Sequence, residues 1–242
     1  MADVAVLKGT RQPGFIMAQD LSLRDVRMKA YEHVSLNLDR GMAHAICAED
    51  KGGKTELLLT LAGRMHPTSG TCVVDGNDVR TLRGMVATSK IASLAFFENV
   101  NDVERVLRVK TIASAELGLA GKRSNSQATK DFLEEWGLSE VSDRIIEELP
   151  RAVYDRLGIA LAMAHDPKIL CVQDIERDLT EHESAKLCDM LRNLAAERGV
   201  TVLCGVLDFD LATRFDTVSC ITDSARAQQT AWRRKHHVRE VA

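Results

Sequence analysis

The chain has 242 residues, 45% of them hydrophobic and 28% charged, with a formal net charge of −3. That is the composition of a soluble globular protein near the upper size of one domain, with enough chain for a large core. The near-neutral balance excludes any electrostatic case for nucleic acid as the main partner. Six cysteines, at 47, 72, 171, 188, 204 and 220, form no CxxC, and several lie inside apolar runs such as "ILCV". This is core usage in a reducing compartment, not a disulfide framework. No signal peptide is visible and no apolar run approaches the ~18 residues of a membrane span, so a cytoplasmic protein is expected.

In chain order, residues 1–20 show no clear period and are set aside as a poorly defined segment. "LSLRDVRM" (21–28) and "VSLNL" (34–38) alternate as half-buried strands do. "AHAICA" (43–48) is a short apolar run expected to be a buried strand, followed by a glycine pair and the helical stretch "KTELLLTLAGRM". "HPTSG" is a turn, and "TCVVDG" is a strand with its own turn. Residues 84–150 read as mostly helical, including "QATKDFLEEWGL" (127–138) with a glycine near its end. Beyond 153, helix and strand alternate again: "YDRLGIALAMAHD" as helix, "KILCVQ" (168–173) as strand, a helix opened by a Thr180/Glu183 capping box and stopped at Gly199, then "VTVLCGV" (200–206) as strand. Strand–helix–strand at that spacing is a βαβ unit and implies a parallel sheet. The tail "WRRKHHVRE" is locally basic. It reads as a solvated tail, with anionic lipid headgroups as the sharper alternative.

The stretch "AEDKGGKTELL" (48–58) carries chemistry. A strand, a glycine turn and a helix aim free backbone N–H groups and the positive end of a helix dipole at one point. Lysine adds a charge for the β/γ-phosphates, and the threonine hydroxyl ligates Mg²⁺. Gly52, Gly53, Lys54 and Thr55 supply that half, flanked by Asp50, Lys51 and Glu56. The front half departs from the pattern, since Ala48 stands where a glycine is expected and Glu49 and Asp50 bring negative charge to an anion site. As four letters alone, GGKT is also an ordinary surface turn.

The chain resembles the nucleotide-binding subunit of an ATP-binding cassette (ABC) transporter. "YEHVSLNLDRGMAHAICA", "LLLTLAGRMHPTSGTCVVDGNDVRTLRG" (57–84), "ELPRAVYDRLGIALAMAHDPKILCVQDIERDLTEHES" (148–184) and "GVTVLCGVLDFDLATRFDTV" (199–218) carry the likeness over roughly residues 20–222. It implies an α/β fold: a P-loop NTPase-like parallel sheet core, an N-terminal antiparallel β portion, and a helical subdomain at about 84–150. The domain is expected over 21–222, with a basic C-terminal tail at 223–242.

The resemblance also implies departures. Where the family has its Leu-Ser-Gly-Gly-Gln signature, this chain has Leu149, Pro150, Arg151, Ala152 and Val153, and Pro150 removes a hydroxyl and an N–H. Where the Walker B strand ends in Asp-Glu, Gln173 and Asp174 stand, leaving Asp174 as a weak candidate for the catalytic base. The switch histidine aligns with Leu207, the D-loop aspartate with Thr180, and the Q-loop glutamine nearest to Phe96. Tyr31 sits at a core position rather than where it would stack on adenine.

The expectation is therefore a cassette-type subunit of a membrane transporter complex that binds ATP weakly through Asp50, Lys51, Gly52, Gly53, Lys54, Thr55 and Glu56. Mg²⁺ is expected at Thr55, with hydrolysis poor or absent. The partners implied are a membrane permease and a second cassette, as homodimer or heterodimer, placing the chain at the inner face of the cell membrane. A working divergent ATPase in a heterodimer and a non-nucleotide-binding scaffold are the alternatives. The helical region with Phe96, Phe97 and Trp136 is the permease-facing part by resemblance, although a core role for these aromatics is equally consistent.

Overall fold

The computed structural model describes residues 14–25, 28–48, 53–101 and 103–221. Asp50, Lys51, Gly52 and the basic tail therefore lie outside the described residues. Two sheets organise the molecule. The first is antiparallel, with strand order β2-β1-β4-β5, from β1 (Ile16–Asp25), β2 (Met28–Leu38), β4 (Ser69–Val74) and β5 (Asn77–Asp78). The second is parallel, with order β6-β7-β8-β3-β9, from β3 (Ala43–Cys47), β6 (Ala92–Leu94), β7 (Ile169–Val172), β8 (Thr201–Val206) and β9 (Thr217–Cys220).

Every residue of β3, β7 and β8 is buried. These are the continuous apolar runs of the sequence, as strands covered on both faces require. One face packs with α1 (Lys54–Leu61) and the antiparallel sheet around Ile46, Leu57, Leu61 and Phe97. The other packs under α6 (Glu181–Arg198) around Val172, Leu187, Leu191 and Val202. A third cluster joins α3 (Val109–Leu119), α4 (Ser126–Glu135) and α5 (Arg151–Met163) around Val109, Leu133, Leu157 and Tyr154.

Local signals placed several boundaries. Thr180 and Glu183 form the full capping box of α6, and Gly199 closes that helix at φ 65°. Pro150 stands at the N-cap of α5, where its missing N–H breaks no helical bond. The structure corrects three boundaries. β1 begins at Ile16, inside the stretch set aside as poorly defined. β6 lies inside 84–150 and pairs with β7, so that stretch opens with α2 (Leu82–Ser89) and a core strand before α3 starts at 109. The short β9 follows α7 (Phe209–Ala212) and borders β3, where no strand was expected. β6 and β9 are short edge strands of three and four residues, and the start of β1 lacks a clean alternation, so their strand identity comes from the neighbours they pair with rather than from periodicity.

Candidate functional site

The carboxyl ends of adjacent parallel strands are where open α/β sheets place ligands. Here the neighbours β7, β8 and β3 end in Gln173-Asp174, Leu207 and the phosphate-loop segment respectively. Gly53 opens α1 at φ 74°, with no side chain among the described residues capping the helix. A Cβ at Gly53 would lie 1.9 Å from the Ala30 carbonyl oxygen and 3.2 Å from the Tyr31 Cβ. The backbone of β2 thus lies against Gly53, and only glycine fits there.

Lys54 is buried, and its Nζ lies 2.9 Å from Asp174 Oδ1. That oxygen accepts no well-aligned hydrogen bond among the described residues, so the contact is chiefly one of opposite charges. Arg177 Nη2 approaches the other oxygen at 3.3 Å, and Arg177 also pairs with Glu98. Asp174 itself adopts φ 40°, a left-handed conformation that Asp tolerates better than most residues. Beside it, Gln173 Nε2 donates to Thr55 Oγ1 at 2.8 Å, while the Glu98 N–H donates to Gln173 Oε1 at 3.1 Å. One amide therefore joins Thr55 to the segment after Phe97.

At Leu207 the side chain is exposed and the backbone is held. The Glu176 carboxylate accepts N–H groups from Leu207 at 2.9 Å and from Asp208 at 2.8 Å. Burial pushes the Glu176 carboxyl upward, partly countered by those two N–H groups. Asp208 in turn caps α7 by accepting from Leu211 N.

The remaining positions are used structurally. Arg151 Nε lies 2.9 Å from Asp155 Oδ1, one turn along the same helix. Thr180 is consumed by its capping box. Tyr31 is 2% exposed and its hydroxyl donates to Thr60 Oγ1 at 2.8 Å; burial pushes its phenol up to about 12. Phe97 is fully buried, and the Phe96 ring packs on Tyr154 at 4.6 Å between centroids. Glu56 lies half-buried in the first turn of α1, where its carbonyl accepts from the Thr60 hydroxyl.

The structure thus brings together Gly53, Lys54, Thr55, Gln173 and Asp174. It adds Glu98, Glu176 and Arg177, which sequence reasoning had not singled out. The run "DIERD" straight after a buried strand was the available signal, being three acids and a base crowded at a strand's carboxyl end. As metal donors the described residues are poor: the Gln173 amide is neutral, the Thr55 hydroxyl already accepts an N–H, and Asp174 lies between two cations, while Glu98 is paired with Arg177 and Glu176 accepts the Leu207 and Asp208 N–H groups. Mg²⁺ sites rely on one or two carboxylates, and these residues do not fit that ion.

A family model described as ABC transporter matches residues 31–174, more than half of the chain. The chain is 29% identical over 198 residues to the phosphonates import ATP-binding protein PhnC 2 of Synechococcus sp. (strain JA-2-3B'a(2-13)), covering 77% of this chain and 73% of that protein. It is 31% identical over 180 residues to the methionine import ATP-binding protein MetN of Rhizobium meliloti (strain 1021), covering 72% of this chain and about half, 49%, of that protein's length. Among solved structures, cbiO1 from Clostridium perfringens, part of the ABC transporter complex cbiONQ, superposes with a TM-score of 0.74 at 18% identity, over 95% of this chain and 96% of that one. The dimeric post-hydrolysis state of the ATP-binding cassette MJ0796, bound to ADP and Pi, gives 0.72 at 17% identity, over 86% and 94%. At those identities the structures speak for the fold alone. With the matched stretch running from β2 through α1 to Asp174, the chain belongs to the ABC transporter family and has the fold of its ATP-binding cassette.

Proposed function

We propose that this chain is the ATP-binding subunit of a membrane import complex, that it binds nucleotide weakly, and that it hydrolyses ATP poorly or not at all. The observation that carries the reading is the mutual engagement of the site's own groups. Lys54 holds Asp174, and Gln173 holds Thr55. Phosphoryl transfer depends on positioning and on charge stabilisation rather than covalent chemistry by the protein. A nucleotide must first displace Asp174 from Lys54, which weakens binding. Once bound, it finds no histidine at 207 and a carboxylate at 174 shared with Arg177. Losing one stabilising group typically costs about 10²–10³-fold in rate, and several are absent together.

The partner reading rests on surface shape. A groove of about 630 Å³ runs between the parallel sheet's edge and the helical cluster, bordered by Arg64, Lys90, Phe96, Val100, Glu116 and His165. Val100 is 47% exposed there. We assign this groove to a cytoplasmic segment of the permease, with a second cassette completing the assembly. No helix among the described residues is long and apolar enough to cross a membrane, so attachment at the inner face of the cell membrane would come through that permease.

Titration calorimetry of the full chain with ATP and a coupled ATPase assay test the reading. Expected are measurable weak binding and phosphate release no faster than in Lys54→Ala. Turnover that disappears on Lys54→Ala would show a working ATPase instead, and absence of any nucleotide binding would leave only the fold.

A further inference from the structure

The Gln173 amide sits where the family reading expects the metal-holding carboxylate, and its orientation is determined by two partners. At one end Oε1 accepts the Glu98 N–H at 3.1 Å; at the other Nε2 donates to Thr55 Oγ1 at 2.8 Å. Turning the amide over would set its NH₂ against the Glu98 N–H, so its hydrogens face Thr55. One of the two lone pairs on the Thr55 hydroxyl is therefore engaged by a donor, and the group beside it presents partial positive charge where a metal ion would stand. The carboxylate next in line, Asp174, lies between Lys54 and Arg177.

Cations able to meet phosphates are part of the site. Lys54 is buried there and paired with Asp174, and the Arg177 guanidinium stands across Asp174 from it, paired also with Glu98. Among the described residues no side chain caps the N-terminus of α1, and a helix start with free N–H groups attracts anions. We propose that this site receives the phosphates of a nucleotide as the metal-free anion, with Lys54 and the Gln173 amide N–H acting where a magnesium ion otherwise would. This rests on the nucleotide-binding reading above. On binding, Lys54 exchanges Asp174 for a phosphate oxygen, and Asp174 remains paired with Arg177.

The test is calorimetric titration of the full chain with ATP and with ADP, once in EDTA and once in excess Mg²⁺. Dissociation constants that agree within about fivefold support the proposal. Weakening by more than that in EDTA overturns it while leaving nucleotide binding standing. No heat of binding in either buffer overturns the nucleotide reading, and this inference with it. Gln173→Asp supplies the missing carboxylate, and its affinity is expected to become Mg²⁺-dependent. If that variant, folded by circular dichroism, stays indifferent to Mg²⁺, Gln173 is not the group responsible and the proposal falls.

Discussion

Lys54 Nζ lies 2.9 Å from Asp174 Oδ1, with the two side chains 6% and 13% exposed, so the lysine's charge is already paired within the fold. Removing one partner of a buried pair leaves a charge in low dielectric, at about 3–5 kcal/mol. The two removals are not equivalent. Asp174→Ala strands Lys54, which has no other ion-pair partner among the described residues. Lys54→Ala leaves Asp174 with Arg177 at 3.3 Å. Urea unfolding is expected to show the larger loss for Asp174→Ala. Equal losses below about 1 kcal/mol, the range of solvated surface pairs, would mean the pair is not buried in solution.

Glu176 gives a pH signature. Its carboxyl is raised by burial, so the folded state holds that proton more tightly than the unfolded chain does. The ionised carboxylate's penalty is therefore absent at low pH and grows as pH rises through the raised value. Glu176→Gln cannot ionise. Its unfolding free energy relative to the wild type is expected to improve as pH rises out of the acid range, on top of a constant loss from weaker hydrogen bonds to Leu207 and Asp208. A difference that stays flat across that range would refute the assignment.

Cys220 faces Cys47 in register across β9 and β3. The adjacent Cys47 thiol, whose S–H also points to the Leu207 carbonyl at 3.6 Å, brings the Cys220 thiol down to about 7, and Cys47 is correspondingly raised. Iodoacetamide near neutral pH should label Cys220 before the buried Cys72, Cys171, Cys188 and Cys204. Mass spectrometry against pH should place its half-maximal reactivity near 7, and Cys47→Ala should move it toward the ordinary thiol value of about 8.5. An unchanged profile in Cys47→Ala would remove Cys47 as the cause.

Two helical glycines separate packing from propensity. A Cβ at Gly158 of α5 would meet the Phe96 ring at 2.8 Å and the Phe96 backbone nitrogen at 3.0 Å. At Gly118 of α3 the nearest atom is Ser124 Oγ at 3.6 Å. Gly158→Ala should destabilise by about 1–3 kcal/mol through overpacking. Gly118→Ala should stabilise by about 0.5–1 kcal/mol through reduced backbone entropy. Thermal denaturation of both variants checks the pair, and a stabilised Gly158→Ala would mean that α5 and Phe96 are not in this contact.

Much of the architecture was legible in the sequence because its signals are local. "AHAICA", "KILCVQ" and "VTVLCGV" are strands for the reason they are apolar runs: both faces are covered. The α6 boundaries follow from Thr180, Glu183 and Gly199, all within hydrogen-bonding reach along the chain. The strand before the glycine pair and the helix that starts at Lys54 were legible from the apolar run and the helical stretch on either side. Short β6 and β9, and the start of β1, were not legible, since pairing makes them strands and pairing partners lie elsewhere in the chain.

The sequence by itself determined which residue types stand at the site: a lysine and a threonine after glycine, a glutamine and an aspartate after β7, a leucine after β8. Only the tertiary structure decided what those groups are bonded to. Gln173 and Thr55 are 118 positions apart and meet because β7, β8 and β3 run side by side in one parallel sheet and end at the same level. That register sets the Gln173 amide on the Thr55 hydroxyl and Asp174 on the Lys54 ammonium, and brings in Glu98, Glu176 and Arg177. A linear pattern carries residue identity and local period. Which distant donor meets which acceptor depends on how strands are ordered in the sheet, and that information exists only once the chain has folded.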